Sequence, residues 1–284
     1  MTIRPMTVCA SHAPGFDRDV GARQGLGFRR ALGEARAAVA EFSPDLVVLF
    51  AGDHRRAFAS VTPPFAVVLS ATVEVDGLRR ALRVPADLAG ELVGDLLDGN
   101  LDVAVGRDLE LDHGFRQPLQ ALLAEVDSVP VLPVAVNCTS PPLPRAERVV
   151  TFGQRVGRFL AALEHRVLFV GTGGLSHSPP TLVGDRHDLT EEERTRLREA
   201  GMEVASQLID PDWDSSFLSL AGEGDLAGLT RMTDTAGSRA GVGAAEVRTW
   251  LAAIAASGQR LGTLGYEPVP EWITGMAVAA SLED

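Results

Sequence analysis

Two apolar runs constrain this chain more than any other feature. Residues 45–51 (DLVVLFA) and 166–172 (RVLFVGT) are nearly unbroken stretches of β-branched and aliphatic side chains. A strand with one wet face alternates apolar and polar residues, whereas a strand covered on both faces does not. Both runs therefore predict central strands packed beneath helices on each side. Helix-spaced segments fall between the strand candidates: residues 23–41, with Pro44 just beyond, then 87–97, 117–126, 145–163 and 244–257. Residues 7–10, 65–69 and 101–105 are further strand candidates. Residues 129–137 (VPVLPVAVN) are apolar too, but their prolines point to an edge or bulged strand. The charged stretch 185–209 reads as a surface helix after a loop, the Gly- and Asp-rich stretch 211–242 as short helices at best, and 262–272 as a loop. The expectation is one α/β domain over residues 1–284, a central mixed sheet flanked by helices on both faces.

Charge narrows the partners. Lys+Arg number 26 and Asp+Glu 38, a formal net charge of −12. That balance argues against nucleic acid or an anionic membrane as the main partner. A local pair such as Arg55-Arg56 still leaves room for a small anionic substrate. No run of about 18 apolar residues is present, so no membrane span is expected. The first residues lack the apolar stretch of a signal peptide, and the two cysteines, Cys9 and Cys138, form no CxxC motif. Cys9 sits in an apolar run and reads as a buried small hydrophobe. The expected location is the reducing cytoplasm.

The histidines carry the chemical signal. His12 follows the first strand, His54 follows DLVVLFA in Gly52-Asp53-His54, and His177 follows RVLFVGT in GGLSHSPP. Ligands of open α/β sheets bind beyond the carboxyl ends of the strands, so these three histidines are expected at one rim. His113 stands in LDHGF, another glycine-containing segment. His165 and His187 occupy polar contexts and read as solvated. One histidine after a strand is ordinary, but four in Gly/Pro-rich turns suggest a metal or acid–base site. Two histidines and one carboxylate leave open positions on one face of Fe(II). His12 and His54 would supply the nitrogens. Glu246 and Glu271 are both candidates for the carboxylate, and spacing does not choose between them.

Eight segments, spread over nearly the whole chain, resemble the LigB-type (class III) extradiol dioxygenases in content and order. They are SHAP at 11–14, FSPDLVVLFAGDH at 42–54, TPPF at 62–65, LDHGFRQPL at 111–119, VPVLPVAVN at 129–137, RVLFVGTGGLSHSPP at 166–180, EVRTW at 246–250 and PVPEWITG at 268–275. The resemblance implies Fe(II)-dependent cleavage of a catechol-type ring with O₂, next to the hydroxylated carbons, in aromatic catabolism. It implies His12, His54 and Glu246 as metal ligands, which decides for Glu246 over Glu271. It implies His177 as general base on the catechol and His113 as the second active-site histidine, for acid–base work in its protonated form or for steering the bound oxygen. Asp112 is expected to orient its neighbour His113. A homo-oligomer is also implied.

Two segments set this chain apart within that likeness: the stretch after Pro180 looks short, and Arg55-Arg56 is more basic. Both are expected to border the pocket and to bear on the ring substituent, a propionate side chain being the leading candidate. Arg55 and Arg56 could pair with its carboxylate or form a solvated surface pair. The same ligand residues would also suit a zinc hydrolase, and a binding protein without chemistry could keep the same fold.

Overall fold

The computed structural model describes residues 4–19, 21–184 and 189–282. The strands are β1 (Met6–Ala10), β2 (Leu46–Ala51), β3 (Phe65–Val68), β4 (Ala71–Val75), β5 (Leu78–Ala81), β6 (Ala104–Gly106), β7 (Leu109–Leu111), β8 (Val131–Val136), β9 (Val167–Thr172), β10 (Leu261–Val269) and β11 (Thr274–Ser281). The helices are α1 (Pro14–Arg18), α2 (Leu26–Phe42), α3 (Ala86–Asp98), α4 (His113–Leu122), α5 (Ala146–Ala161), α6 (Glu191–Ser206), α7 (Pro211–Glu223), α8 (Leu226–Arg239) and α9 (Val247–Ser257).

The main sheet runs in the order β10-β11-β1-β9-β2-β8-β3-β6. Its centre is parallel, β1 with β9, β9 with β2, and β2 with β8. β3 and β11 enter antiparallel, so the sheet is mixed as expected. All six residues of β2 are buried, and likewise all six of β9. Along β2, Leu46, Val48 and Phe50 face a cluster that includes Leu92 of α3, Phe152 of α5 and Trp250 of α9. Val47, Leu49 and Ala51 face a second cluster with Phe28 of α2 and Phe115 of α4. Period-two alternation thus sends one run of apolar residues into two separate cores. Each fully buried Leu or Phe adds roughly 1.5–3 kcal/mol. No helix among the described residues is long and apolar enough to cross a membrane.

Three expectations need correction. β8 is an interior strand despite Pro133. Val131 donates its amide to Arg83 and Asn137 to Pro64 on the β3 side, so the missing N–H of Pro133 also points that way. It falls just past the last β3 pair, Val67↔Val134, and leaves the pairing with β2 intact. Residues 211–242 form two full helices, α7 and α8. Their Asp and Gly residues are caps: Asp210 accepts from Trp213 N, Gly224 closes α7 in the left-handed region, and Asp225 accepts from Gly228 N. Residues 262–272 are mostly β10, an edge strand, where Pro268 costs no interior ladder bond. The small sheet β5-β4-β7 was not anticipated. Its hairpin turns at Asp76-Gly77, both with positive φ, a pairing that favours a tight type I′ turn.

Candidate active site

The site collects at the carboxyl rim of the parallel strands. His12 lies two residues beyond β1 and His54 three beyond β2, while β9, between them, continues into Gly173–His177. His113 opens α4 behind its cap Asp112, whose carboxylate accepts from Gly114 N at 2.9 Å. Glu246 ends a 3-10 turn, Val242–Glu246, and leads into α9. One helical turn later, Thr249 and Trp250 reach the same strand end: Thr249 Oγ1 donates to the Thr172 carbonyl and Trp250 Nε1 to Gly173 O at 3.1 Å. The spacing of EVRTW is therefore the spacing of one helix face laid on the end of β9.

Three side chains, His12, His54 and Glu246, bring their donor atoms together in a triangle. His12 Nε2 is 3.3 Å from His54 Nε2. Glu246 Oε1 is 3.0 Å from His54 Nε2, and Oε2 is 3.7 Å from His12 Nε2. Adjacent ligands about 2.1 Å from one octahedral ion stand about 3 Å apart, so this set fits a metal on one face. His113 is a further candidate donor, because His12, His54 and His113 offer ring nitrogens within 4.8 Å of one another. His113 stacks on His54 with centroids 4.3 Å apart, and its buried Nε2 has no hydrogen-bond partner among the described residues. Glu271 is exposed and stands apart from this group.

Each donor is aimed from behind. Asp112 Oδ2 accepts from His54 Nδ1 at 2.9 Å and from His54 N at 2.8 Å. An ionised carboxylate only accepts, so Nδ1 carries a proton and Nε2 is left facing the triangle, where a bound metal would displace the proton it shares with Glu246. Asp112 therefore orients His54, not its neighbour His113. His12 Nδ1 meets Thr172 Oγ1 at 2.8 Å, and Glu246 Oε2 accepts from Gly174 N at 2.9 Å.

His177 is held apart from the triangle. Its Nδ1 donates to Leu175 O at 2.8 Å, leaving Nε2 as an acceptor 3.7 Å from Glu246 Oε1. The loop is pinned by buried Asp214, which accepts from Ser176 N and Ser176 Oγ, each at 2.7 Å. A methyl on Gly243 would stand 2.3 Å from His177 Nε2, well inside contact distance. Gly243→Ala is expected to displace the ring and lower turnover at least about tenfold while metal binding persists. Steady-state kinetics beside metal analysis checks this; unchanged turnover would contradict the assigned position of the ring.

Electrostatics separate the imidazoles. Burial lowers His12 to about 4, partly opposed by Glu246. Burial also favours neutral His54, but the Asp112 and Glu246 carboxylates prevail and raise it well above the ordinary imidazole value. Burial and then His54 push His113 well below that value. Its charged form is therefore disfavoured before substrate enters; the protonated His113 that the resemblance implies belongs to a later stage of the reaction. Burial opposes charge on Glu246, yet His177 and His12 keep its carboxyl well below the usual range.

A cavity of about 190 Å³ opens above these groups, walled by Trp272, Ile273, Pro179 and Pro180. Both segments expected at its border, Arg56 and the stretch after Pro180, do line it. Arg55 does not belong to a surface pair: it is 3% exposed and donates to Thr139 O at 3.0 Å. Arg56 is exposed and pairs with Glu191 at 3.0 Å. Arg18, Arg194 and Arg198 also line the cavity, and the sequence reading missed all three. Their only linear signal is the i, i+4 spacing of Arg194 and Arg198. His165 is exposed and Cys9 buried, as expected, and His187 lies outside the described residues.

Fold and site together define an α/β protein with clustered nitrogen and oxygen donors at the floor of an enclosed pocket. The chain belongs to the LigB family: the model described as the catalytic LigB subunit of aromatic ring-opening dioxygenase matches residues 6–277. It is 38% identical over 305 residues to a 2,3-dihydroxyphenylpropionate/2,3-dihydroxicinnamic acid 1,2-dioxygenase of Klebsiella pneumoniae, covering 94% of this chain and 95% of the relative. A protein of the same name from Escherichia coli O139:H28 is 36% identical over 302 residues, with the same coverage. The crystal structure of an uncharacterized protein from Escherichia coli K12 superimposes with a TM-score of 0.56 at 15% identity, over 98% of this chain and 100% of the other, and shares the fold. Membership in a family of ring-opening dioxygenases speaks against the zinc-hydrolase and binding-protein readings.

Proposed function

We propose that the protein is an Fe(II)-dependent extradiol dioxygenase acting on 3-(2,3-dihydroxyphenyl)propionate or a closely related catechol. The observation that carries this reading is the His12–His54–Glu246 triangle beneath a closed pocket, with the free Nε2 of His177 beside it. His12, His54 and Glu246 would hold Fe(II), which would supply open positions for the diol and O₂ and lower the pKa of a bound hydroxyl. His177 Nε2 accepts a proton from the substrate hydroxyl, and its Nδ1–H···O=C bond stabilises the cation that results. His113, neutral before substrate enters, serves as the second acid–base group, with an Nε2 that no protein partner occupies. Trp272, Pro179 and Pro180 wall the pocket against water. One catalytic domain and a cytoplasmic homo-oligomer belong to the same reading; light scattering on the purified protein tests the assembly.

The test is anaerobic loading with Fe(II), then air and substrate, following O₂ uptake and near-visible absorbance. A yellow product with matched O₂ consumption supports the proposal. An iron-loaded protein that opens neither this substrate nor catechol defeats it. Two further outcomes concern the ligands. Asp112→Asn is expected to weaken metal binding about 10–100-fold, because His54 loses the acceptor that fixes its tautomer; calorimetric titration measures it. In the metal-free protein His54 is protonated at neutral pH, so metal must displace a proton. Apparent affinity should rise with pH, by about tenfold per unit while one proton is released, and level off above the folded pKa of His54. A flat profile would remove His54 from the ligand set.

A further inference from the structure

Among the described residues four arginines face the cavity, in a chain whose net charge is −12: Arg18 from α1, Arg56, and Arg194 and Arg198 from α6. Arg56 is paired with Glu191. Arg194 differs, being 7% exposed with no hydrogen-bond partner for its Nε among the described residues. A buried guanidinium nitrogen without an acceptor is costly and calls for an explanation. The helix is built to aim it. Arg194, Arg198 and Met202 follow one another at four-residue intervals and all line the cavity, while Arg196 turns outward to Glu192. α6 also lies directly on the histidine loop: a methyl on Gly201 would come within 2.5 Å of Pro180 Cγ, three residues beyond His177. The one carboxylate lining the cavity among the described residues, Glu246, is already engaged by His54 and Gly174.

We propose that Arg194, flanked by Arg198 and Arg18, binds the carboxylate of the substrate's side chain and selects anionic over neutral catechols. The inference rests on the ring-opening reading for the rest of the ligand and adds the residue that recognises the substituent. A guanidinium fork matches a carboxylate in two parallel hydrogen bonds. Burial, with Arg56 and Arg198 near, pushes the Arg194 guanidinium below its ordinary proton affinity, and an incoming anion relieves that crowding.

The experiment compares wild type, Arg194→Met, Arg194→Lys and the outward-facing control Arg196→Met. The substrates are 3-(2,3-dihydroxyphenyl)propionate and 3-propylcatechol, and binding of 3-phenylpropionate is titrated separately by calorimetry. Arg194→Met is expected to lose about 10–100-fold in kcat/KM on the propionate, mostly in KM, and less than about threefold on 3-propylcatechol. Arg194→Lys should fall between, and Arg196→Met should match wild type. Equal losses on both substrates, or none on either, would overturn the proposal; if Arg194→Met does not fold, the same comparison is made with Arg194→Lys. Should wild type open neither catechol, the ring-opening reading fails, but the titration still decides the anion site. Binding of 3-phenylpropionate that depends on Arg194 upholds it, and no binding, or binding unchanged in the variant, overturns it.

Discussion

His177→Ala is expected to cut turnover by about 10²–10⁴-fold, the range for removing a placed general base, and to leave the iron content within about twofold of wild type. The two halves of this result depend on different contacts. His177 Nε2 is 3.7 Å from Glu246 Oε1 and faces the cavity, whereas the tight triangle is made by His12, His54 and Glu246. The histidine loop keeps its anchors without the ring, because Asp214 holds Ser176, and His177 N and O bond Ala240 and Gly243 through the backbone. Truncation therefore removes the acceptor without dismantling the wall. Activity and metal content measured on the same preparation separate the outcomes. Full activity in His177→Ala would end the base assignment, and loss of iron would make His177 a ligand.

The parts of this site that were legible in the sequence are those in which a local pattern has one spatial meaning. Unbroken apolar runs become covered strands, and a histidine after such a strand comes to the carboxyl rim, as His12, His54 and His177 do. Parts set by distant partners were not legible. Asp112 adjoins His113 in the chain, yet its carboxylate belongs to His54, 58 residues away. Its own backbone explains this: as the cap of α4 it turns its oxygens toward Gly114 N and across to the end of β2. Arg194 sits in EEERTRLRE, which reads as a solvated face because seven of its nine residues are charged. One stripe of that helix is nonetheless inward, and it is inward because it faces a cavity rather than a core. Hydrophobic patterning cannot mark such a stripe, since its side chains are chosen for a ligand and not for packing. Gly224 and Asp225 carried the opposite error: read as breakers, they are the end of one helix and the start of the next.

Glu246→Gln is expected to abolish stable Fe(II) binding, with affinity lowered at least about 100-fold, more than for loss of a partner that acts from behind a ligand. Two donor sets compete for the description of this centre: His12, His54 and Glu246, or His12, His54 and His113, whose ring nitrogens also cluster. Charge favours the first. Glu246 is buried and held ionised by His177 and His12, while His113 is held neutral. A dication set among imidazoles alone would take no charge from its ligands and would be balanced only indirectly, by Asp112 behind His54 and by Glu246 beside the metal. Geometry favours the first as well, since Glu246 Oε1 is 3.0 Å from His54 Nε2 and its other oxygen is fixed by Gly174 N. Glutamine keeps the size and one acceptor, so the variant tests charge and ligation rather than a cavity. Metal binding only to the folded form raises its stability by mass action, so the wild-type melting temperature should climb with added Fe(II) under anaerobic conditions and that of Glu246→Gln should stay flat. His113→Ala should keep the climb. If instead Glu246→Gln still responds and His113→Ala does not, the centre is a three-histidine site, and the carboxylate serves His54 and His177 from beside the metal.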